Sequence, residues 1–468
     1  MISSLHEFNK VFFIGIAGTG MSALAQYLAG KGKQVSGSDR YFTVGEISDT
    51  RQKLEEAGIK CYLQNGSGLS ESMELVVVSA AIEETVYEVQ KAKALGLPIL
   101  KRSELLGYIA RSNRTIAVAG TSGKSTTSAM LFDIMQYANL QPSIISGAGL
   151  ISIIKKNRIG NTFVGGGEWL IIEADESDGS IVEYAPEIGL LLNVDKDHQE
   201  MEELIKIFTI FKHNTTRLFV VNRDNPFAKA LSQNNAQDFS TDAVDEAGYQ
   251  AINFVQNVLE IQFDVVQMGK DTATHFTLQT VGRHNMENAL AAIAVAHQIG
   301  VAMQTCAEAL KNYEGIYRRH QLLGNHKGIN VIDDYAHNPV KCAASIKACH
   351  QIAPKVIAWF QPHGYGPTRF LKNDFIKEIS GSLRDTDEIW MSEIFYAGGT
   401  AEKNISANEL IQGIKQAGKQ AYFVEDRKNF LATVKIHLTG NCVLLLMGAR
   451  DPGLEDFSKG IWQQIQMF

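Results

Sequence analysis

The segment GTSGKST at residues 120–126 carries the clearest chemical signal in the sequence. Its small residues let backbone amides turn toward a phosphate, the ammonium group of Lys124 supplies a positive charge, and the hydroxyl group of Ser125 can ligate Mg²⁺. The segment departs from the usual G-x-x-x-x-G-K-[ST] spacing, because its first glycine lies closer to the lysine. A solvated lysine in a glycine turn is the alternative. The apolar run before the segment and the helical pattern after it favour a nucleotide-phosphate site.

Carboxylates follow the next apolar runs of the same block, WLIIEAD and LLLNVDKDHQE. The carboxyl ends of strands are where open α/β sheets bind ligands. A solvated turn accounts for Glu176 or Asp178, but it accounts poorly for Glu173 at the end of its run. His198 follows the second run, and a neutral imidazole can ligate a divalent metal. These residues predict a metal site beside the phosphate loop.

A second glycine turn, GIAGTGMS, lies at residues 15–22. A dinucleotide-binding turn needs glycine at its first, third and sixth positions, and here the third is Ala17. The free amides of such a turn still attract an anion, and Asp39 closes the next strand, where a ribose or base partner would lie. The turn predicts a pyrophosphate-bearing ligand, not specifically NAD. A glycine turn that serves only helix packing is the alternative.

The segment GRHNMEN at residues 282–288 precedes an alanine-rich helical pattern. Its Asn and His side chains could cap that helix, or they could contact the edge of an adenine. The residues alone leave both interpretations open.

Three blocks of alternating strand and helix patterns must position these groups. They predict an α/β protein with three domains: Rossmann-like over 1–112, P-loop ATPase-like with a mixed sheet over 113–318, and Rossmann-like over 319–468. The first block includes VFFIGI and ELVVVSAAI (residues 74–82), the second TIAVAG and WLIIEAD, and the third INVIDDYA and CVLLLMGA.

The bulk composition restricts the function classes. The 468 residues are 45% hydrophobic and 20% charged, with a formal net charge of −7, so nothing indicates binding to nucleic acid or to an anionic membrane. The five cysteines form no CxxC pair, which argues against a disulfide framework or a thiolate zinc site. The N-terminus lacks the basic region of a signal peptide, and no apolar run reaches the roughly 18 residues that span a bilayer. We therefore expect a cytoplasmic protein.

The motifs together resemble the Mur ligase family, ATP-dependent enzymes that form amide bonds in peptidoglycan synthesis. AGTSGKSTT, EADESDGS, LLNVDKDH, GRHNMEN, YEGIYRRHQLLG and IDDYAHNP occur in the family's order, and the resemblance covers nearly the whole chain. It implies that the chain uses ATP and Mg²⁺ to join the carboxylate of UDP-N-acetylmuramate to an amino acid, with L-alanine as the expected one. Attachment of a tripeptide or of another amino acid is the alternative within the family, and the DESD segment favours a single amino acid.

The resemblance also implies site residues. ATP would be bound by Gly120, Thr121, Ser122, Gly123, Lys124, Ser125, Thr126, His284, Asn285, Asn288, Arg319 and Asp334. The UDP-sugar would be bound in the first domain by Gly15, Ala17, Gly18, Thr19, Gly20, Met21, Ser22, Ser38, Asp39, Ser79 and Ala80. Mg²⁺ would be held by Ser125, Glu173 and His198. The reacting centre would contain Lys124, His337, Asn338, His363 and Arg369, with the amino acid bound in the third domain.

Some positions depart from the family's usual residues. Ser122 stands where a histidine is usual, and Gly179 where an alanine is usual. Gly364 and Pro367 stand where the alanine-adding members usually carry arginines. The last two departures leave the incoming amino acid open.

In the implied reaction, the γ-phosphoryl group of ATP moves onto a carboxylate, and an amine then attacks the acyl phosphate with His337 or His363 as base. Domain closure about hinges near residues 112 and 318 would exclude water. The chain would be a monomer or a weak homodimer. Two other functions are a nicotinamide dehydrogenase, which Ala17 and the second phosphate loop disfavour, and a non-catalytic nucleotide-binding regulator, which Lys124 and Glu173 disfavour.

Overall fold

The apolar runs of the N-terminal block form one parallel five-stranded sheet. Its strands are β1 (Lys10–Ile14), β2 (Gln34–Asp39), β3 (Lys60–Leu63), β4 (Leu75–Val78) and β5 (Ile99–Lys101). They lie in the order β3-β2-β1-β4-β5. The connecting helices are α1 (Thr19–Gly30), α2 (Asp49–Glu56), α3 (Tyr87–Ala94) and α4 (Arg102–Arg111). The strand predicted over residues 74–82 is shorter and ends at Val78.

The central block forms a mixed six-stranded sheet and a smaller sheet of four strands. The larger sheet contains β6 (Arg114–Ala119), β7 (Ser143–Ile145), β8 (Thr162–Phe163), β9 (Trp169–Ala174), β10 (Ile188–Leu191) and β11 (Leu218–Val221). Their order is β11-β10-β6-β9-β7-β8, and only the β7–β8 pair is antiparallel among these described strands. The smaller sheet contains β12 (Phe239–Ser240), β13 (Tyr249–Asn257), β14 (Glu260–Gln267) and β15 (Ala273–Leu278). The helices are α5 (Lys124–Tyr137), α6 (Ile151–Ile154), α7 (Met201–Asn214), α8 (Pro226–Ala230), α9 (Arg283–Gln298) and α10 (Met303–Lys311).

The C-terminal block forms a third six-stranded sheet, parallel except for its first strand. Its strands are β16 (Gln321–His326), β17 (Ile329–Asp334), β18 (Lys355–Gln361), β19 (Glu388–Met391), β20 (Gln420–Phe423) and β21 (Cys442–Gly448). They lie in the order β16-β17-β21-β18-β19-β20. The helices are α11 (Pro339–Cys349), α12 (Tyr365–Phe370), α13 (Lys372–Ser382), α14 (Ala407–Gln416), α15 (Phe430–Val434) and α16 (Leu454–Ile465). The α/β architecture with a mixed central sheet is therefore confirmed.

The computed structural model describes residues 4–45, 47–79, 82–176, 179–195, 200–242, 246–396 and 402–468. Two residues of the predicted sites, Ala80 and His198, lie outside the described residues. No helix in the described ranges is long and apolar enough to cross a membrane.

Internal contacts divide the chain into two compact units. The first is Met1–Val255 with Ile261–Gly315, and the second is Gln256–Glu260 with Ile316–Phe468. In the first unit, one hydrophobic cluster joins Phe13 of β1, Ile109 of α4 and Leu170 of β9. The hinge expected near residue 112 thus falls inside a continuously packed unit, whereas the division after Gly315 lies close to the hinge expected near residue 318. The boundaries of the three domains stay a prediction.

A cavity of about 250 Å³ lies beside α5 in the first unit. Its lining residues are Phe132, Asp133, Gln136, Tyr137, Ser152, Ile153, Lys156, Phe163, Ala309, Asn312 and Glu314. The Ser152 hydroxyl donates a hydrogen bond to Asp133 Oδ1 over 3.3 Å. Burial raises the pKa of the Asp133 carboxyl group to about 7, and the nearby Glu314 charge acts in the same direction.

We expect Asp133→Asn to stabilise the protein, more strongly at about pH 8 than at about pH 5. The folded state holds the Asp133 proton more tightly than the unfolded chain does, so stability falls as the pH rises from about 4, and the loss is complete above about pH 7. The asparagine cannot ionise and removes this loss, with an upper limit of about 4 kcal/mol. Thermal melts of both proteins across this pH range check the prediction. Asp49→Asn, which removes the acid of a surface ion pair, serves as the control. Equal shifts of the melting temperature in both variants would contradict the prediction.

Candidate functional site

The phosphate loop leaves the carboxyl end of β6, between the neighbouring strands β9 and β10. Gly120 has φ +136° and Gly123 has φ +85°, so both occupy backbone conformations that other residues rarely adopt. A Cβ atom at Gly120 would lie 3.1 Å from the backbone nitrogen of Asn193, and one at Gly123 would lie 2.4 Å from Asn288 Oδ1. The backbone conformation therefore favours glycine at both positions, and a side chain at either would crowd Asn193 or Asn288.

Lys124, the first residue of α5, extends its ammonium group back over the loop. Its Nζ donates to the Gly120 carbonyl oxygen over 2.7 Å and pairs with Glu176 Oε2 at 2.6 Å. Asp175 Oδ1 lies 3.8 Å from the same nitrogen. The Lys124 and Glu176 side chains are 15% and 8% exposed, so this pair is largely shielded from water. An incoming phosphate must compete with the Glu176 carboxylate for the ammonium group.

Ser125 and Glu173 come together as the sequence predicts. The Ser125 hydroxyl donates to Glu173 Oε2 over 2.8 Å, while Glu173 Oε1 accepts from the Ser146 hydroxyl at 2.5 Å and from the Gly147 amide at 2.8 Å. The neighbouring bonds thus orient the carboxylate toward the loop. Within the described ranges, no three His, Cys, Asp or Glu side chains gather as a metal-binding group. One carboxylate and one hydroxyl group nevertheless fit Mg²⁺, which commonly takes one or two protein carboxylates together with phosphate oxygens and water.

Asn193 is a site residue that was not included among the predicted ones. It lies just after β10, and its Oδ1 accepts hydrogen bonds from the Thr121 hydroxyl and the Ser122 amide, both at 2.9 Å. Its Nδ2 donates to the Ser122 carbonyl oxygen over 3.1 Å. One side chain therefore holds both polar groups of the Ser122 backbone. The only sequence signal was an asparagine directly after the apolar run LLL.

We expect Asn193→Ala to raise the KM for ATP by about 10-fold and to change the KM for the second substrate much less. The variant loses the hydrogen bonds that fix the loop before the phosphates bind, so part of the binding free energy is then used to order it. Initial rates with each substrate varied in turn check this expectation. Asn312→Ala, which removes an amide bonded to the Glu308 carbonyl oxygen in the same unit, is the matched control. A uniform rise in all KM values would contradict a role confined to the loop.

The asparagines of the GRHNMEN segment are directed into the protein. Asn288 Oδ1 accepts from the Thr127 hydroxyl of α5 at 3.2 Å, and Asn285 Nδ2 donates to the Val281 carbonyl oxygen over 2.8 Å. Both residues are 9% exposed. Asn288 thus joins the start of α9 to the helix that carries Lys124, while Asn285 bonds to the segment just before α9. Their predicted contact with adenine, and that of His284 in the first turn of α9, stays a prediction.

The N-terminal turn is held by the residue that was expected to bind ribose. Asp39 Oδ2 accepts from the Ala17 amide at 2.8 Å, and the Ser38 carbonyl oxygen accepts from the Gly15 and Ile16 amides at 2.8 and 2.9 Å. The Ser38 hydroxyl donates to Glu88. The turn is thus fixed by β2, and α1 begins directly after it at Thr19.

Two further residues flank this turn. A Cβ atom at Gly20 would lie 3.0 Å from the Arg102 side chain. The Arg102 side chain therefore packs against the start of α1. Asn161 of the central block donates to the Thr19 carbonyl oxygen over 2.7 Å and to the Ser22 hydroxyl over 2.9 Å. Asn161 thus joins the first glycine turn to the central block. The predicted contacts of Gly18, Met21 and Ser79 with a UDP-sugar stay a prediction.

In the second unit, the two arginines of the YRRH segment differ in their surroundings. Arg318 is buried, forms an ion pair with Asp333 at 3.0 Å and donates to the Gly448 carbonyl oxygen over 2.9 Å. Arg319, one of the predicted ATP-binding residues, is exposed and lies over the Tyr335 ring, 5.5 Å from its centroid. Its guanidinium is therefore the more accessible of the two.

Asp334, another predicted ATP-binding residue, lies at the end of β17. Its Oδ2 accepts from the Ser345 hydroxyl at 2.8 Å and its Oδ1 from the Ala336 amide at 2.9 Å. These bonds hold the carboxylate in place at the carboxyl edge of the sheet.

His337 and His363 face each other, with ring centroids 5.7 Å apart. Burial is the main reason that the pKa of His337 is lowered and that of His363 falls to about 4, so both imidazoles are neutral near pH 7. Asn338 caps α11 by accepting from the Lys341 amide at 2.8 Å, and Arg369 donates to Asn404 Oδ1 over 2.9 Å. The structure thus brings the two histidines together, while Asn338 and Arg369 have other partners.

Comparisons with known proteins show which family the chain resembles over most of its length. The chain matches the Mur ligase catalytic domain over residues 10–114, the Mur ligase middle domain over residues 118–296, and the Mur ligase glutamate ligase domain over residues 318–450. A UDP-N-acetylmuramate–L-alanine ligase of Bdellovibrio bacteriovorus is 34% identical over 453 residues, covering 94% of this chain and 96% of the relative. A ligase of the same name from Aquifex aeolicus is 32% identical and covers 97% and 98%.

Solved structures of similar proteins share the fold of this chain. The crystal structure of a UDP-N-acetylmuramate–alanine ligase from Thermotoga maritima superposes with a TM-score of 0.80 at 25% identity, covering 98% of this chain and 99% of that one. A murein peptide ligase from Psychrobacter arcticus shares the fold, with a TM-score of 0.67 at 21% identity and coverage of 98% and 99%. From the three domain matches and the full-length relatives, the chain belongs to the Mur ligase family.

Proposed function

We propose that the chain is an ATP-dependent ligase that joins the carboxylate of UDP-N-acetylmuramate to the amino group of an amino acid, with L-alanine as the leading candidate. The observation that carries the proposal is the combination of Lys124, Ser125 and Glu173 around one phosphate loop, with Nζ–O and O–O distances of 2.6 to 2.8 Å. This combination suits phosphoryl transfer, in which the protein mainly positions and neutralises charge.

The proposed reaction has two bond-forming steps. A carboxylate oxygen of the sugar nucleotide attacks the γ-phosphorus of ATP, the bond to the β-phosphate oxygen breaks, and ADP leaves. The amine nitrogen then attacks the acyl carbon, and the C–O bond breaks to release phosphate. Lys124 would stabilise the charge on the transferring phosphoryl group, and Ser125 and Glu173 would hold Mg²⁺, which neutralises phosphate charge when bound. His337 or His363, neutral near pH 7, would accept the proton that the amine loses.

The N-terminal turn would bind the sugar nucleotide. Its glycines and the start of α1 offer backbone amides to a pyrophosphate, and Arg102 beside Gly20 adds a positive charge. The named full-length relatives favour a single amino acid over a tripeptide, because their names specify L-alanine and they cover most of this chain.

An ADP-release assay with a substrate panel tests the proposal. The purified chain is given ATP, Mg²⁺ and UDP-N-acetylmuramate, and then each amino acid or the tripeptide in turn. We expect release to require the sugar nucleotide and to be fastest with L-alanine. Fastest ADP release with the tripeptide would instead indicate a recycling ligase. ADP release at the same rate without the sugar nucleotide would refute the proposal.

A further inference from the structure

The carboxyl ends of β17, β21 and β18 lie level with one another in the C-terminal sheet. β21 lies between the other two strands, Asp334 pairs with Met447, and Gln361 pairs with Gly448. The three segments that leave this edge therefore begin side by side. They carry His337, Arg450 and His363, with Arg450 on the middle segment.

The backbone at Arg450 has φ +63°, the left-handed region that favours glycine. A residue with a side chain takes up this conformation at an energetic cost. A glycine would adopt this positive φ at position 450 without strain. The same loop already contains Gly448 and Gly453. The presence of an arginine in this conformation suggests that its side chain has a use.

The Arg450 side chain is exposed, and no described residue accepts a hydrogen bond or forms an ion pair with its guanidinium group. The next residue, Asp451, pairs with Arg427 instead. Among the other arginines of this unit, Arg318 pairs with Asp333, Arg384 pairs with Asp387 and Arg369 donates to Asn404, while Arg319 is exposed and lies over the Tyr335 ring. Arg450 is thus a cation whose donors remain available at the edge where the two histidines meet.

The proposed reaction needs such a cation. An amino acid brings a carboxylate next to its reacting amine, while the acyl phosphate that it attacks is also an anion. His337 and His363 cannot neutralise that carboxylate, since burial is the main cause that lowers the pKa of both imidazoles. The charges of Lys341, Arg319 and Arg450 act in the same direction on His337, as does that of Arg450 on His363. Gly364 and Pro367, which follow His363 along the chain, supply no charge either. A guanidinium group matches a carboxylate with two parallel hydrogen bonds.

We propose that Arg450 binds the α-carboxylate of the incoming amino acid and so determines that the substrate is a free acid. The inference rests on the proposed ligase function. In this inference, Arg450 after β21 supplies a positive charge that Gly364 and Pro367 do not. The amine of the bound amino acid would then lie beside the His337–His363 pair, one of which takes its proton.

The test compares the amino acid that supports the fastest ADP release with its carboxamide, which has the same amine but no carboxylate. Arg450→Gln should raise the KM for the amino acid by about 10- to 100-fold. It should change kcat/KM for the carboxamide by less than about 3-fold, because the lost interaction requires the carboxylate. The KM for ATP should not change. Arg450→Lys should restore part of the effect, since it keeps the charge but not the paired donors.

Two further variants separate charge from folding. Arg450→Gly removes the cation and relaxes the backbone, so it should bind the amino acid as weakly as Arg450→Gln and melt at the same or a higher temperature than wild type. Lys327→Gly is the matched control, because Lys327 is also a cation whose backbone has a positive φ, at +50°. It lies in the turn before β17, at the opposite edge of the same sheet from Arg450. Its KM values should match those of wild type.

Each outcome decides the inference. A rise in the KM for ATP would assign Arg450 to a phosphate, and equal losses with the amino acid and its carboxamide, or no loss, would also overturn the proposal. If the wild-type carboxamide rate is undetectable, the separate KM values for the amino acid and ATP still distinguish these cases. Failure of the ligase function would give a different result, because wild type would then release no ADP in response to an amino acid.

Discussion

Replacing Lys124 with alanine is expected to lower substrate-dependent ADP release by about 10³-fold or more. The ammonium group is the nearest positive charge to the loop backbone, 2.7 Å from the Gly120 carbonyl oxygen, and it is mostly shielded from water. In such a site a charge stabilises a transferring phosphoryl group far more than it would in bulk solvent. The variant should still fold, because Lys124 lies at the first position of α5, where alanine is well tolerated.

The Lys124→Ala measurement is ADP release at saturating ATP, sugar nucleotide and amino acid. Lys155→Ala is its control: Lys155 is an exposed lysine of the same unit, paired with Glu314, and its loss should leave the rate within about 2-fold of wild type. If Lys124→Ala retained a rate within about 10-fold of wild type, the phosphate loop would not be the site of phosphoryl transfer.

The second large effect is expected at Glu173. Glu173→Gln should lower kcat by about 100-fold and raise the Mg²⁺ concentration needed for half-maximal rate. Glutamine keeps an acceptor for the Ser146 hydroxyl and the Gly147 amide, so the loop should keep its shape, but the negative charge that attracts the cation is lost. A Mg²⁺ titration of wild type and variant, started from protein treated with a chelator, separates weaker metal binding from a slower chemical step.

Glu168→Gln is the control for Glu173. Glu168 is the glutamate directly before the same strand, and it forms an exposed ion pair with Arg114. Its variant should require the same Mg²⁺ concentration as wild type. An unchanged Mg²⁺ requirement in Glu173→Gln would mean that another residue holds the metal.

Much of the fold could be predicted from the sequence because apolar runs bounded by glycine turns are strong signals for parallel strands. The phosphate loop followed from its residue types, and the approach of Glu173 to Ser125 followed from the shared edge of parallel strands. Each inference depended on local pattern and on general rules of α/β sheets.

Other features depended on contacts between distant parts of the chain. Asn193 holds the phosphate loop because β10 pairs with β6, a strand order that no local pattern reveals. Asn288 turns toward Thr127 because α9 packs against α5. Arg450 becomes a candidate ligand only through the order of β17, β21 and β18 and through its positive φ. The continuous core beneath β1 and β9, which places residue 112 inside one unit, is likewise a property of packing.

The central claim is that a carboxylate on the sugar nucleotide is activated by the terminal phosphoryl group of ATP, and isotope transfer tests it most directly. UDP-N-acetylmuramate with ¹⁸O in its carboxylate is incubated with the enzyme, ATP, Mg²⁺ and the preferred amino acid, and the products are weighed by mass spectrometry. Activation as an acyl phosphate moves one ¹⁸O atom into inorganic phosphate for each amide formed, together with unlabelled ADP. The label in AMP, or amide formation without labelled phosphate, would contradict it.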